Sequence, residues 1–183
     1  MASIFAHAFT AYAFSKTFSK KISTTKFWML GIVCAILPDA DVISFKFGIR
    51  YEDFWGHRGF THSFAFSILL GILVTLVFYR KQVFTKDGYL LILYFSICTA
   101  SHALLDAMTT GGLGVAFFSP FDTTRYFFDW RPIQVSPIGI HRFLGMKGIK
   151  VLLSEILWVG IPGTIFILAA LYIKKTKQPP QNE

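Results

Sequence analysis

The chain has 183 residues, a formal net charge of +8, 54% hydrophobic and 17% aromatic residues, and only 15% charged ones. A soluble domain of this size carries about 25% charged residues, so the composition excludes an ordinary water-soluble enzyme and points to a membrane. The positive excess does not indicate nucleic acid, because the lysines and arginines stand in short clusters beside apolar runs and cover no single face.

In chain order, the first apolar run is Ile4 to Phe14, which carries His7. It lacks the positive leading region of a secretory signal, since the first lysine is Lys16, and reads as a retained helix that is short or tilted. Four clear spans follow, over Phe27 to Phe45, Ser63 to Tyr79, Gly88 to Leu105 and Val151 to Ile173. At about 1.5 Å per residue each covers most or all of a roughly 30 Å hydrocarbon core. Between the last two lies Ala107 to Lys150, punctuated by Gly111, Gly112, Gly114, Pro120, Pro132, Pro137 and Gly139, a spacing that admits no long helix. Its aromatic run, from Phe117 to Trp130 with Arg125 and Arg131, suits a cap in the membrane interface or a packed lid. The expected architecture is therefore all-α: a polytopic transmembrane helix bundle of four spans plus a short N-terminal helix, with a long irregular aromatic-rich outer loop. Residues 1–177 read as a single transmembrane domain, 107–150 as its outer cap, and 178–183, with Pro179 and Pro180, as a disordered tail. Cys34 and Cys98 fall inside apolar runs and read as buried thiols.

Orientation follows from the basic clusters. Lys16, Lys20, Lys21 and Lys26 fill one connection, Arg80, Lys81 and Lys86 another, and Lys174, Lys175 and Lys177 open the tail. The positive-inside rule assigns these to the cytoplasm and sends Lys46 to His62 and Ala107 to Lys150 outward.

A charged side chain at bilayer depth costs a few kcal/mol or more (about 2.5 on insertion scales), so each one retained there is a functional hypothesis. Asp39 and Asp41 end the first clear span, His57 and His62 precede the second, His102 and Asp106 close the third, and Glu155 lies one turn into the fourth. Alternating crossings bring all of these, and His7, to one side of the membrane. His102 and Asp106 are four residues apart and share a helix face. Taken singly, each residue has a plain alternative. The His102 and Asp106 pair could be a local hydrogen bond, Asp39 a cap beside Pro38, Asp41 a solvated group, His57 a loop residue and His7 a packed one. Thr61 and Ser63 look like N-caps, which would leave His62 at a helix entrance, and His141 reads as a loop residue. Glu155 has no lysine or arginine within one turn and reads as a protonated carboxyl, a general base or a ligand. Together, imidazoles and carboxylates are the donor set of zinc, manganese or iron hydrolytic sites.

Three motifs, Leu37-Pro38-Asp39-Ala40-Asp41, His57-Arg58-Gly59-Phe60-Thr61-His62-Ser63 and Ser101-His102-Ala103-Leu104-Leu105-Asp106, stand in that order between apolar spans. With the early His7 and the Thr109 to Gly112 stretch, the chain over roughly residues 1–170 resembles the bacterial YdjM-like membrane-bound metal-dependent hydrolase family. The resemblance implies a multi-pass protein of the bacterial inner membrane. It also implies a metal site made of His7, Asp39, Asp41, His57, His62, His102 and Asp106. Seven donors exceed the needs of one tetrahedral zinc, so one or two ions are expected, zinc first and manganese or iron as alternatives. The expected chemistry is metal-assisted hydrolysis at the outer face, with Asp41 or Glu155 taking the proton and Arg58 clamping an anionic group, aided by Arg125 or Arg142. A lipid-linked or phosphoester substrate suits a site at membrane depth, with the bilayer itself as partner. The alternatives are a divalent-cation transporter or channel and a membrane scaffold.

Overall fold

The computed structural model describes residues 1–19 and 22–176; Lys20, Lys21, Lys177 and the 178–183 tail lie outside the described residues. Helix α1 runs over Ile4–Ser15 and α2 over Thr25–Ile36, which passes directly into a 3₁₀ stretch, Leu37–Phe47. A 3₁₀ turn at Phe60–His62 leads into α3 (Phe64–Phe78), and a turn at Arg80–Gln82 precedes α4 (Lys86–Ala107). The short α5 (Ile140–Phe143) is followed by α6 (Met146–Glu155), a π-helical turn (Ile156–Gly160) and α7 (Ile161–Thr176). No strand occurs among the described residues, and the segment between α4 and α5 is irregular, crossed by the isolated bridges Thr109 to Ile133 and Val115 to Tyr126.

Three helical stretches are long and apolar enough to cross a membrane: Thr25–Phe47, Lys86–Ala107 and Met146–Thr176. Phe64–Phe78 is equally apolar but has 15 residues, about 22 Å at 1.5 Å per residue, against a core of roughly 30 Å. Helix α1 is shorter still at 12 residues.

Local sequence explains the helix starts. Thr24, Ser63 and Thr85 each accept a hydrogen bond from the backbone N–H three residues on, at 3.3, 3.0 and 3.2 Å. The change of winding after Ile36 follows from Pro38, which lacks the amide an α-helix would use there. Helices α1, α2 and α4 pack around Ala11, Phe27, Cys34, Leu91 and Tyr94. Phe27 stacks on Tyr94 at 3.9 Å, and the Tyr94 hydroxyl donates to the Ala11 carbonyl at 3.1 Å. Gly31 makes room for that tyrosine, and Gly71 lets α3 rest on Ser96 and the Ile92 carbonyl of α4. Cys34 and Cys98 are free and buried, as expected.

The two ends of the bundle differ in chemistry. At one end, Lys26 Nζ donates to the Phe78 carbonyl at 2.9 Å and Lys174 Nζ to the Phe18 carbonyl, so basic connections meet. The other end holds the carboxylates and histidines, and the irregular segment packs over it. The Ala116 amide donates to the Arg58 carbonyl at 3.0 Å, and the Phe64 amide to that of Phe117 at 3.0 Å. Phe117 turns inward and stacks on Phe64, whereas Phe121 and Trp130 stay exposed.

Candidate metal centre

Asp39 and Asp41 sit two residues apart on the 3₁₀ stretch, where each residue advances the winding by about 120°, so the two carboxylates point in different directions. Asp39 faces His102 and His62, and Asp41 faces His57 and the opposite edge of His62. His102 and Asp106 come from the last two turns of α4, and His62 from the turn before α3. Two donor groups result, each with atoms within 4.8 Å of one another: Asp39, His62, His102 and Asp106, and Asp41, His57 and His62.

The hydrogen-bond network assigns the tautomers. His102 Nδ1 lies 2.6 Å from the Ala35 carbonyl, which can only accept, so Nδ1 carries a proton and, in the neutral ring, Nε2 presents a lone pair. Thr61 donates its hydroxyl to Asp41 Oδ2 at 2.7 Å, which leaves that hydroxyl oxygen and Asp41 as the acceptors beside His62 Nδ1, at 3.1 and 3.2 Å. His62 Nδ1 is therefore also protonated, and its Nε2 is bare. The two bare Nε2 atoms face each other at 3.0 Å. Two lone pairs at that distance repel unless a cation or a proton lies between them.

Carboxylates converge on the same point. Asp39 Oδ1 is 3.4 Å from His102 Nε2 and 3.8 Å from His62 Nε2, and it is buried without a hydrogen-bond partner. Asp106 Oδ2 is 3.7 Å from His62 Nε2 and 4.0 Å from His102 Nε2. Tetrahedral ligands at zinc bond lengths stand about 3.3 Å apart, and these separations bracket that value. By contrast, Asp41 Oδ1 and His57 Nδ1 are 2.6 Å apart, a charge-assisted hydrogen bond and too close for two ligands of one ion. Burial pushes the His62 imidazole down to about 4 against the pull of Asp41, so near neutral pH it stays a neutral donor.

Arg58 is fully buried and has φ 64, the left-handed region that side chains other than glycine avoid. Its Nε donates to Asp106 Oδ2, one terminal nitrogen to the Gly111 carbonyl and the other to Thr109 Oγ1, all at 2.9 Å. The expectation of an anion clamp meets a guanidinium that faces inward and is occupied in orienting Asp106. Asp41 is similarly occupied, accepting from the Arg58 amide at 3.1 Å as well as from Thr61, His57 and His62. Arg125 gives its donors to the His57 and Tyr51 carbonyls at 2.9 and 2.8 Å, and it holds the irregular segment onto the loop. His141 and Arg142 are exposed.

His7 stands outside both donor groups. Its ring stacks on His102 at 3.7 Å, its Nε2 lies 3.5 Å from Asp106 Oδ1, and neither ring nitrogen has a hydrogen-bond partner. Glu155 accepts the backbone N–H and the hydroxyl of Ser3, while the Ala2 amide donates to Asp106 Oδ1 at 2.6 Å. The start of the chain thus links Glu155 to the cluster. Ser3, Ala2 and the Ala35 carbonyl carry no sequence signal for this role, and Thr61, read as a helix cap, instead braces Asp41 and His62.

A family model for the YdjM inner membrane protein matches residues 1–177. The chain belongs to that family. It is 36% identical over 167 residues to the inner membrane protein YbcI of Escherichia coli (strain K12), covering 91% of this chain and 95% of that protein. No solved structure matches. Family membership and three apolar helices together make this a multi-pass inner membrane protein, with the lipid bilayer as its surroundings.

Proposed function

We propose that the protein is a membrane-embedded metal-dependent hydrolase acting on a lipid-linked or phosphoester substrate at the outer face of the inner membrane. The reading rests on the two bare imidazole nitrogens 3.0 Å apart with Asp39 and Asp106 aimed between them. A single proton would relieve the nitrogen pair but would leave the buried, unpartnered Asp39 Oδ1 directed at the same point, with Asp106 Oδ2 beside it already paired with Arg58, and a metal ion would engage all four groups at once. Asp39, His62, His102 and Asp106 would hold one ion, zinc first and manganese or iron next. That ion, when bound, supplies Lewis acidity, which acidifies water and polarises a substrate oxygen.

The remaining groups hold these four in place. Asp41, braced by Thr61 and His57, fixes the tautomer of His62; the Ala35 carbonyl does the same for His102; Arg58 and the Ala2 amide aim Asp106. Asp39 is the one carboxylate of its donor group with surface exposure, 15%, against none for Asp106. Its Oδ2 is therefore the atom best placed to take up a proton, in place of the fully engaged Asp41. His7 covers His102 and excludes water from that side. Residues 1–177 form the single transmembrane domain, Phe64–Phe78 is its fourth crossing, and 107–150 its outer cap. A transporter is less well supported, because the donors gather at one end of the bundle and lysines occupy the other.

Purified protein in vesicles made with a panel of bacterial phospholipids tests this reading. Release of a water-soluble product that His62→Ala and His102→Ala both abolish is the expected result. Passage of the metal across the vesicle membrane with no product released would replace the hydrolase with a transporter.

A further inference from the structure

The surface of the last helical stretch carries a feature that the metal centre does not use. Two adjoining cavities, of about 360 and 210 Å³, open between α1 and the α6 to α7 stretch and share Phe9, Ile156 and Gly160. One continues to Thr164 and Ile165, and the other ends at Glu155. Both are lined by the ends of the π-helical turn Ile156–Gly160, the only one among the described residues, and such turns widen a helix locally. Phe9, which lines both cavities, packs against Gly163, where a Cβ would strike its ring, so its position depends on that glycine.

From this geometry we infer that the groove is a binding site for one hydrocarbon chain of a membrane lipid, with the polar end of that lipid beside Glu155. Three observations support a hydrocarbon occupant. Only 6% of the most apolar window of Met146–Thr176 is covered by the rest of the protein, so this face meets the acyl phase. From Glu155 to Ile165 the lining extends about 15 Å along the helix, which matches the roughly 15 Å of hydrocarbon in one leaflet, so a chain fits along it. Finally, Glu155 is the one ionisable lining residue and stands at the end nearer the metal centre, joined to Asp106 through Ser3 and Ala2. A lipid seated this way has its head beside the cluster and its tail against Thr164. The inference rests on the lipid-substrate reading above, and it names where that substrate's chain lies.

Gly160 offers the test. A Cβ there meets nothing closer than the Glu155 carbonyl at 3.7 Å, so Gly160→Phe fills the groove without displacing the backbone, and Thr164→Trp fills its far end independently. The full chain is placed in phosphatidylglycerol and phosphatidylethanolamine vesicles with a trace of phospholipid bearing a photoactivatable acyl chain. After illumination, labelled peptides are compared with the equally exposed α3 face at Leu69 and Leu73. Labelling of the Phe9 and Ile156 to Thr164 peptides at least fivefold above the α3 face is expected, with a loss of that excess in both variants at unchanged metal content. Equal labelling of the two faces, excess labelling that neither variant lowers, or crosslinks joining two copies of the chain at this groove, would overturn it. Labelling needs no turnover, so a failed hydrolase assay leaves this result readable, and a failed labelling leaves the hydrolase reading intact.

Discussion

Replacing Arg58 tests how the cluster is held. The guanidinium is fully buried and donates to Asp106, Thr109 and Gly111. Its removal takes the close ion pair from the buried Asp106 carboxylate and leaves the Ala2 amide as its hydrogen-bond donor, and breaking a buried ion pair on one side costs about 3–5 kcal/mol. At about 2–4 °C per kcal/mol for a chain of this length, Arg58→Ala should melt about 6–20 °C below the wild type. The backbone adds a second, opposite effect. At φ 64 a residue with a Cβ is strained by roughly 1–2 kcal/mol, which glycine does not suffer. Arg58→Gly should therefore melt a few degrees above Arg58→Ala, although it loses the same ion pair. Because Asp106 is no longer aimed, metal affinity should fall about 10–100-fold in both variants. Thermal melts in detergent, paired with metal titration, read both quantities. An Arg58→Ala protein that melts within about 2 °C of wild type and binds metal as tightly would refute the positioning role, and Arg58→Gly melting no higher than Arg58→Ala would refute the strain argument.

Other outcomes follow from the same structure. Gly71→Val should push α3 off Ser96 and Ile92 of α4 and cost about 1–3 kcal/mol as overpacking, seen as a lower melting temperature with metal stoichiometry retained. Ser3→Ala removes the hydroxyl that pairs with Glu155 and should cost about 0.5–1.5 kcal/mol, the worth of one hydrogen bond, read as a lower melting temperature in detergent. A cysteine placed at Lys81 should react with a membrane-impermeant reagent only in opened vesicles or cells, with little background because Cys34 and Cys98 are buried; labelling in intact cells would invert the orientation.

Much of this architecture is legible in the sequence because lipid imposes strict rules on it. The apolar runs and the residues at their ends place Asp39, His62, His102 and Asp106 on one side before any coordinate is known, and the structure brings them within 4.8 Å. Roles within the cluster are less legible, since they depend on which atoms meet. Arg58 in the motif looks like a free cation, and only its three inward hydrogen bonds reveal a brace for Asp106. Asp41 looks like a free carboxylate until Thr61, His57 and His62 are seen to occupy it. Glu155 stands apart in the sequence because it has no nearby cation, and its partner, Ser3, comes from 152 residues away. Span lengths show a similar limit: hydropathy marks Ser63 to Tyr79 as apolar, but the Ser63 cap and the turn after Phe78 leave a helix of only 15 residues.

The central claim is that four side chains at one end of the bundle hold a divalent metal ion. Its most direct test is the metal content of protein purified without added metal, measured for the wild type, His62→Ala, His102→Ala and His141→Ala, the last altering an exposed histidine away from the cluster. The account predicts about one ion per chain in the wild type and in His141→Ala, and little in the other two, as expected of a single four-ligand site. A wild-type protein without bound metal, or unchanged metal in His62→Ala and His102→Ala, would contradict it.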